Sequence, residues 1–323
     1  MLIILDDAVL PADPAALSTA GRDALENLAK AAYEGNHMVT GSRNLLVRLK
    51  RLQAVLGAPT CDRFTYLSFQ VDDAARLRLE VRSYVRVHEV GHTMRIEESP
   101  AHARPGDAAV FHVGLEYFAR TVRIQPTQVI GEDQRDANFY MRLSRAFSSR
   151  YAGVTSALVP TAGGGVNTHR VLRAQAALQI VLCVVDTDQD GPDAPPKDTA
   201  KFAIAAGDEL RQQSHLAEVY VLPCRELENL LPKALVLAAL PATGEDQERA
   251  KVERAAASLG RMDFTDLKAV ASRQVLRWVD AHLDGLSDEA LVAYCFPPDV
   301  HPAMNALATT LWSFGLAYVR GST

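Results

Sequence analysis

Residues 181–193, VLCVVDTDQDGPD, run from an unbroken apolar stretch into four aspartates within eight positions: Asp186, Asp188, Asp190 and Asp193. Two carboxylates about 4 Å apart repel by roughly 4 kcal/mol at an effective dielectric near 20, so such a cluster needs compensation. The same succession of apolar run and acid recurs at Glu132, after TQVIG, and at Glu226 and Glu228, after VYVLP. If these three runs are parallel strands, their carboxyl ends share one edge and the acids meet there. A hard divalent cation is the simplest compensation. Mg²⁺, with Mn²⁺ as a substitute, is held by one or two carboxylates and completes its shell with water and phosphate oxygens. The plainer alternative for each acid is a helix cap or a solvated loop.

The elements that must position these acids follow from patterning. From about residue 126 apolar runs and helical segments alternate: TQVIG, RDANFYMRLSRAF, VTSALVP, NTHRVLRAQAA, LQIVLCVVD, DTAKFAIAAGDELRQQ and AEVYVLP. Continuous apolar strands alternating with helices predict an α/β unit, a parallel sheet with helices on both faces, over residues 126–240. Ligands of such sheets gather beyond the carboxyl ends of the strands. Residues 241–323 read as a helical extension. Residues 1–125 read as α+β: a short strand LIIL, two helices, and strict alternation in RLRLEVRSYVRVHEV. There Leu77, Leu79, Val81, Val85 and Val87 form one face, and Arg76, Arg78, Arg82, Arg86 and His88 the other. That pattern predicts a half-buried antiparallel strand, hairpinned through Gly91 into TMRIEE. Its arginine face would either carry phosphates or be plain solvated surface.

Composition narrows the field. The chain of 323 residues is long enough for two domains or one large domain with additions. Residues 1–125 balance 15 Lys and Arg against 15 Asp and Glu, so the net charge of −5 lies wholly in the remainder. An acidic half needs cations before it can approach a polyanion. Cys61, Cys183, Cys224 and Cys295 form no CxxC pair, which argues against a disulfide framework or cysteine zinc site and suits a reducing cytoplasm. MLIILDDAVL lacks a basic n-region and is too short to span a bilayer, so neither a signal peptide nor a membrane partner is expected.

Three other motifs compete. HEVGH at 88–92 matches the HExxH of zinc metalloproteases, which needs a helix to bring both histidines onto one face. On a strand, positions i and i+4 lie roughly 13 Å apart, too far for one ion; a helical segment with Glu116 nearby as third ligand would reverse that judgement. DTDQDG opens like an EF-hand loop, but its twelfth position is Lys197 and a strand precedes it. A haloacid-dehalogenase-type phosphatase also carries D-x-D after an apolar strand, though on the first strand of its domain.

QVIGEDQRDANFYMRL resembles the opening of a TOPRIM domain, in which a strand ends in Glu-Gly, an Asp follows four residues after the Glu, and a helix with an aromatic pair comes next. Glu132 and Asp136 match those acids; Asp133 stands where the family has Gly. VVDTDQD matches the second signature at Asp186 and Asp188, and LPCRELENLLP is similar to a segment of stand-alone TOPRIM nucleases of bacterial anti-phage systems, the PARIS type and relatives of the OLD nucleases. The resemblance covers roughly residues 126–240. It implies Mg²⁺-assisted phosphodiester cleavage of DNA or RNA, with Asp136, Asp186 and Asp188 as metal ligands and Glu132 as ligand or general base. Glu226 and Glu228 would supply a second metal position or start a helix. Gly163, Gly164, Gly165 and Asn167 would offer backbone amides to a phosphate or form a tight turn. Lys268 would stabilise transition-state charge or be merely solvated. The resemblance further implies restraint by an ATPase partner or by homo-oligomerisation; the chain itself has no Walker loop. A non-catalytic TOPRIM-like binding module is the alternative.

Overall fold

A computed structural model describes residues 1–98, 108–191, 193–241, 246–255, 273–297 and 302–319. The first part contains strands β1 (Leu2–Leu5), β2 (Met38–Gly41), β3 (Ser83–His88), β4 (Arg95–Glu97) and β5 (Ala109–Gly114). Helices α1 (Thr19–Tyr33), α2 (Arg43–Leu49), α3 (Gln53–Leu56), α4 (Ala58–Leu67) and α5 (Val71–Leu77) lie between β1 and β3. Ser18 and Ser42 cap α1 and α2 by accepting from the amides of Gly21 and Leu45, as serines do at helix starts.

The strand order is β2-β1-β3-β5-β4, with the first four parallel and β4 antiparallel to β5. The antiparallel hairpin expected for this region is therefore corrected. β3 pairs in parallel with both neighbours, and TMRIEE joins the sheet beyond β5. The alternation at 77–87 misleads because its first part is not a strand. Val71, Ala74 and Leu77 fall at helical spacing, Ala74 and Leu77 are buried, and Asp72 and Asp73 sit in the favourable first turn of α5. Leu79, assigned to the inner face, is exposed.

The second part is the predicted α/β alternation. Strands β6 (Gln128–Gly131), β7 (Val154–Ser156), β8 (Val159–Ala162), β9 (Val181–Val185) and β10 (Ala217–Val221) interleave with α6 (Gln134–Ser148), α7 (Thr168–Ala176) and α8 (Asp198–Gln212). β10-β9-β6-β8 form an all-parallel sheet. Both of its faces are covered, and β9 makes the reason visible. Val181, Cys183 and Val185 enter one core with Leu172, Ala203 and Leu210 of α7 and α8. Leu182 and Val184 enter the other with Tyr140 and Leu143 of α6.

The chain continues through α9 (Lys233–Ala238), α10 (Asp246–Ala255), α11 (Arg273–Gly285), α12 (Asp288–Cys295) and α13 (Pro302–Gly315) to β11 (Leu316–Tyr318). α13 is mostly buried, with Ala303, Met304, Leu307, Ala308 and all of Thr310–Gly315 inside and Pro302 exposed at its start. Trp312 stacks on Tyr151 at 4.6 Å, Phe314 meets Phe111 of β5 edge-on, and Ser313 Oγ accepts from the Arg82 amide. β11 pairs antiparallel with β7, and the buried N-terminal amine donates to the Leu316 carbonyl at 2.6 Å. One apolar core thus runs from the first sheet through α13 to the inner face of the second. All four cysteines are free and buried, and among the described residues no helix is long and apolar enough to cross a membrane.

Candidate functional site

In the second sheet the chain leaves β6 for β8 on one side and then crosses to β9 on the other. The reversal opens a crevice between the carboxyl ends of β6 and β9, where parallel sheets bind ligands. Glu132 is the first residue beyond β6 and Asp186 the first beyond β9. The Asp186 amide donates to Glu132 Oε1 at 3.2 Å, so two acids 54 residues apart share one rim. Tyr140, wholly buried on α6, reports who else is present. Burial first, then the negative charges of Asp186, Asp136, Glu132 and Glu228, push its hydroxyl well above the ordinary phenol range. Cys224 is pushed up similarly, by burial and then by Asp186 and Glu228.

The backbone at Glu132 is held from two sides. A Cβ on Gly131 would lie 2.6 Å from the Ala137 amide nitrogen, so only glycine lets β6 run this close to α6. On the other side the Gly163 amide donates to the Gly131 carbonyl at 2.8 Å, and the amides of Gly164 and Gly165 donate to the Glu132 carbonyl at 2.9 and 3.0 Å. Of the two readings of this glycine run, a phosphate cradle or a tight turn, the hydrogen bonds are those of the turn. Those amides are aimed back at the strand, the Asn167 amide donates to the Gly164 carbonyl, and the turn positions Glu132. Asp133 is compatible with the site, because its backbone is extended (φ −127°, ψ −178°), a conformation open to any residue. It caps α6: its carboxylate accepts from the amides of Arg135 and Asp136, and its own amide donates to Asp136 Oδ2 at 3.3 Å.

The aspartate run divides in two. Asp186 is buried and Asp188 half-buried, the latter in the left-handed region at φ 53° with its amide donating to the Arg225 carbonyl. Thr187 Oγ1 donates to the Cys224 carbonyl at 2.7 Å, stitching the loop to the segment after β10. Asp190 turns outward to Arg225 at 2.7 Å and Lys197 at 3.2 Å, and the hydrogen bonds from Lys197 and Arg225 hold its carboxyl below the usual range. Asp193 is exposed.

Glu226 takes the helix-start role. Its carboxylate caps the short turn Leu227–Leu230 while Asn229 Oδ1 accepts from the Glu226 amide. Glu228 instead faces a cleft of about 60 Å³ shared with Asp136, Arg135 and Arg142. Arg135 is anchored there by Asp280 of α11 at 2.5 Å. Lys268 lies outside the described residues.

The acids form an open rim, not a closed cage. Among the described residues, the set of three metal-capable side chains whose ligand atoms all fall within 4.8 Å of one another is His88, His92 and His112. HEVGH is thus neither helix nor continuous strand. β3 ends at His88, Gly91 turns at φ 87°, and the rings of His88 and His92 stack with centroids 4.0 Å apart. The separation expected of a strand is overturned by that turn, and the metalloprotease helix is absent. Glu116 is no ligand of this set; its Oε1 accepts from the Gly91 amide and pins the turn. Set against protein-family models, curated proteins and solved structures, the chain matches none of them.

Proposed function

We propose that the rim between β6 and β9 hydrolyses phosphodiester bonds in DNA or RNA with Mg²⁺, in the manner of a TOPRIM nuclease, in the cytoplasm of a bacterium defending itself against phage. The observation that carries this reading is the meeting of Glu132 and Asp186 at the switch point, with Asp136 and Glu228 around the same buried phenol. The donor set is all carboxylate, which suits a hard cation and an open, water-rich shell. When bound, Mg²⁺ neutralises phosphate charge and acidifies a coordinated water.

Asp186 and Asp188 are the ligands, fixed by the stitches from Thr187 and Asp188 to the segment after β10. Glu132 is the base: its carboxylate is oriented by the Asp186 amide, and its backbone is clamped by the glycine turn, so it can take a proton from water at a fixed place. Asp136 and Glu228 extend the negative rim toward α11. A second reading, a non-catalytic binding module, draws on Asp136 and Glu226 spending their carboxylates on caps.

Purified protein incubated with plasmid, single-stranded DNA and tRNA tests the proposal, in the presence of Mg²⁺, Mn²⁺ or EDTA. Cleavage of at least one substrate that needs metal and disappears in Asp186→Asn is expected. Absence of metal-dependent cleavage of all three, also with an ATPase partner present, favours the binding module.

A further inference from the structure

The first sheet repeats the topology of the second. Its order β2-β1-β3-β5 reverses direction between β1 and β3, so a second crevice opens beyond the carboxyl ends of those strands. Asp6 is the first residue beyond β1, and its amide donates to the Val87 carbonyl of β3 at 2.9 Å. His88 is the last residue of β3, His112 lies on the neighbouring β5, and the Gly91 turn folds His92 back over His88.

The ring nitrogens divide into inner and outer sets. His88 Nε2 and His112 Nδ1 are 2.8 Å apart and share one hydrogen bond. His92 Nε2 is buried without a hydrogen-bond partner. Each remaining nitrogen has its own carboxylate: Asp6 Oδ2 lies 4.0 Å from His88 Nδ1, Glu89 Oε1 3.9 Å from His92 Nδ1, and Glu97 Oε2 3.3 Å from His112 Nε2. Glu97 within hydrogen-bond distance of His112 is the arrangement that fixes ring orientation and tautomer in histidine metal sites, and Asp6 and Glu89 stand as charged neighbours of the other two rings.

We propose that His88, His92 and His112 form a Zn²⁺ site at the carboxyl edge of the first sheet, separate from the acid rim and backed by Asp6, Glu89 and Glu97. Imidazole nitrogens select a borderline dication over Mg²⁺. Zn–N bonds of about 2.0–2.1 Å at tetrahedral angles separate the nitrogens by roughly 3.3 Å, so His88 and His112 need to part by about half an ångström. His88 carries its proton on Nδ1, toward Asp6, in the bound form. His112 is buried, whereas the His92 side chain is 25% exposed, which gives the ion a path in. Three histidines leave a fourth position for water or a substrate oxygen, as in hydrolytic zinc sites. The site does not depend on the reading of the acid rim.

Cobalt provides the test. Tag-free full-length protein, stripped with EDTA and dialysed, is titrated with Co²⁺ and followed by visible absorption. One Co²⁺ per chain with the intense ligand-field bands of a four- or five-coordinate ion, displaced by Zn²⁺, is expected. His92→Ala, on the turn, should weaken binding by more than about a hundredfold, and Glu97→Gln, behind His112, by about ten- to a hundredfold. Asp186→Asn, at the other sheet, should bind as the wild type does. The proposal is overturned if the wild type gives only the weak spectrum of hydrated Co²⁺, if Asp186→Asn removes the bands, or if folded His92→Ala and Glu97→Gln both bind like the wild type.

Discussion

The two sheets offer the same place for chemistry and fill it with opposite residues. Each is parallel where it matters, each reverses direction beside its first strand, and in each the side chains at issue sit on or just beyond the strand ends. In the first sheet those side chains are imidazoles. Burial, then the neighbouring His92 and His112, lower the pKa of His88, and burial lowers that of His112, which favours the uncharged form of both rings. In the second they are carboxylates, which approach one another only against repulsion. There the fold spends backbone amides and two glycine contacts on holding Glu132 beside Asp186. Topology selects the location, and residue type decides which ions can work there.

The sharpest way to break this comparison is to remove charge from the acid rim. Asp186→Asn and Glu132→Gln should each lower metal-dependent cleavage by at least about a hundredfold, the several kcal/mol that a metal-held phosphate or its base supplies. Circular dichroism should be unchanged, since both replacements keep the side-chain volume. Wild-type rates in both variants would leave the rim without a catalytic role.

Next in size is the clamp behind Glu132. A Cβ on residue 163 would lie 2.4 Å from Thr168 Oγ1 and 2.7 Å from the Gly131 carbonyl oxygen. Gly163→Ala should therefore destabilise the protein by about 1–3 kcal/mol in urea denaturation, the usual cost of overpacking. Cleavage should fall with it, because relief of the clash moves the carbonyls that align Glu132. Full stability in this variant would mean that the turn is more pliant than its hydrogen bonds imply.

The two rims were unequally legible in the sequence. Strands β6 and β9 are apolar runs ended directly by an acid, so their ends, and Glu132 and Asp186 with them, can be read from local pattern alone. The Gly163–Gly165 amides could not be assigned, because a glycine run looks the same whether its N–H groups face a ligand or a neighbouring strand. His112 was invisible for a different reason. In AVFHVG it is one polar residue in an apolar strand, and only the parallel pairing of β3 with β5 brings it to His88. The alternation through Leu77 and Leu79 hid the pairing, since a period of two spanned a helix end, a turn and a strand.

Acid pH should pull the two sheets in opposite directions. His37, wholly buried just before β2, has its pKa pushed well below the ordinary value, by burial first and by the N-terminal ammonium second. The unfolded chain takes up this proton near pH 6.5 and the folded chain does not, so stability is lost as pH falls below that point, at about 1.4 kcal/mol per pH unit. Glu218 of β10 behaves inversely. Burial raises its pKa despite Arg211 at 2.6 Å, so the folded state binds its proton first and gains stability as pH falls. Urea midpoints between pH 7.5 and 5.5 should decline in the wild type and decline less in His37→Gln; equal slopes would assign the loss elsewhere.

The smallest effect separates the two halves of the aspartate run. Asp190 lies exposed between Lys197 and Arg225, which already compensate its charge. Exposed ion pairs contribute little, because solvent screens them and two long side chains must be ordered to form them. Asp190→Asn should leave the urea midpoint and the cleavage rate close to wild type, in contrast to Asp186→Asn four residues earlier. A large loss of cleavage with unchanged stability would mean that Arg225, already 3.9 Å from Glu226 through Nε, shifts further toward the acids of the rim once Asp190 is neutral. In that event the pairing at Asp190 would be what keeps the rim negative enough to take a cation.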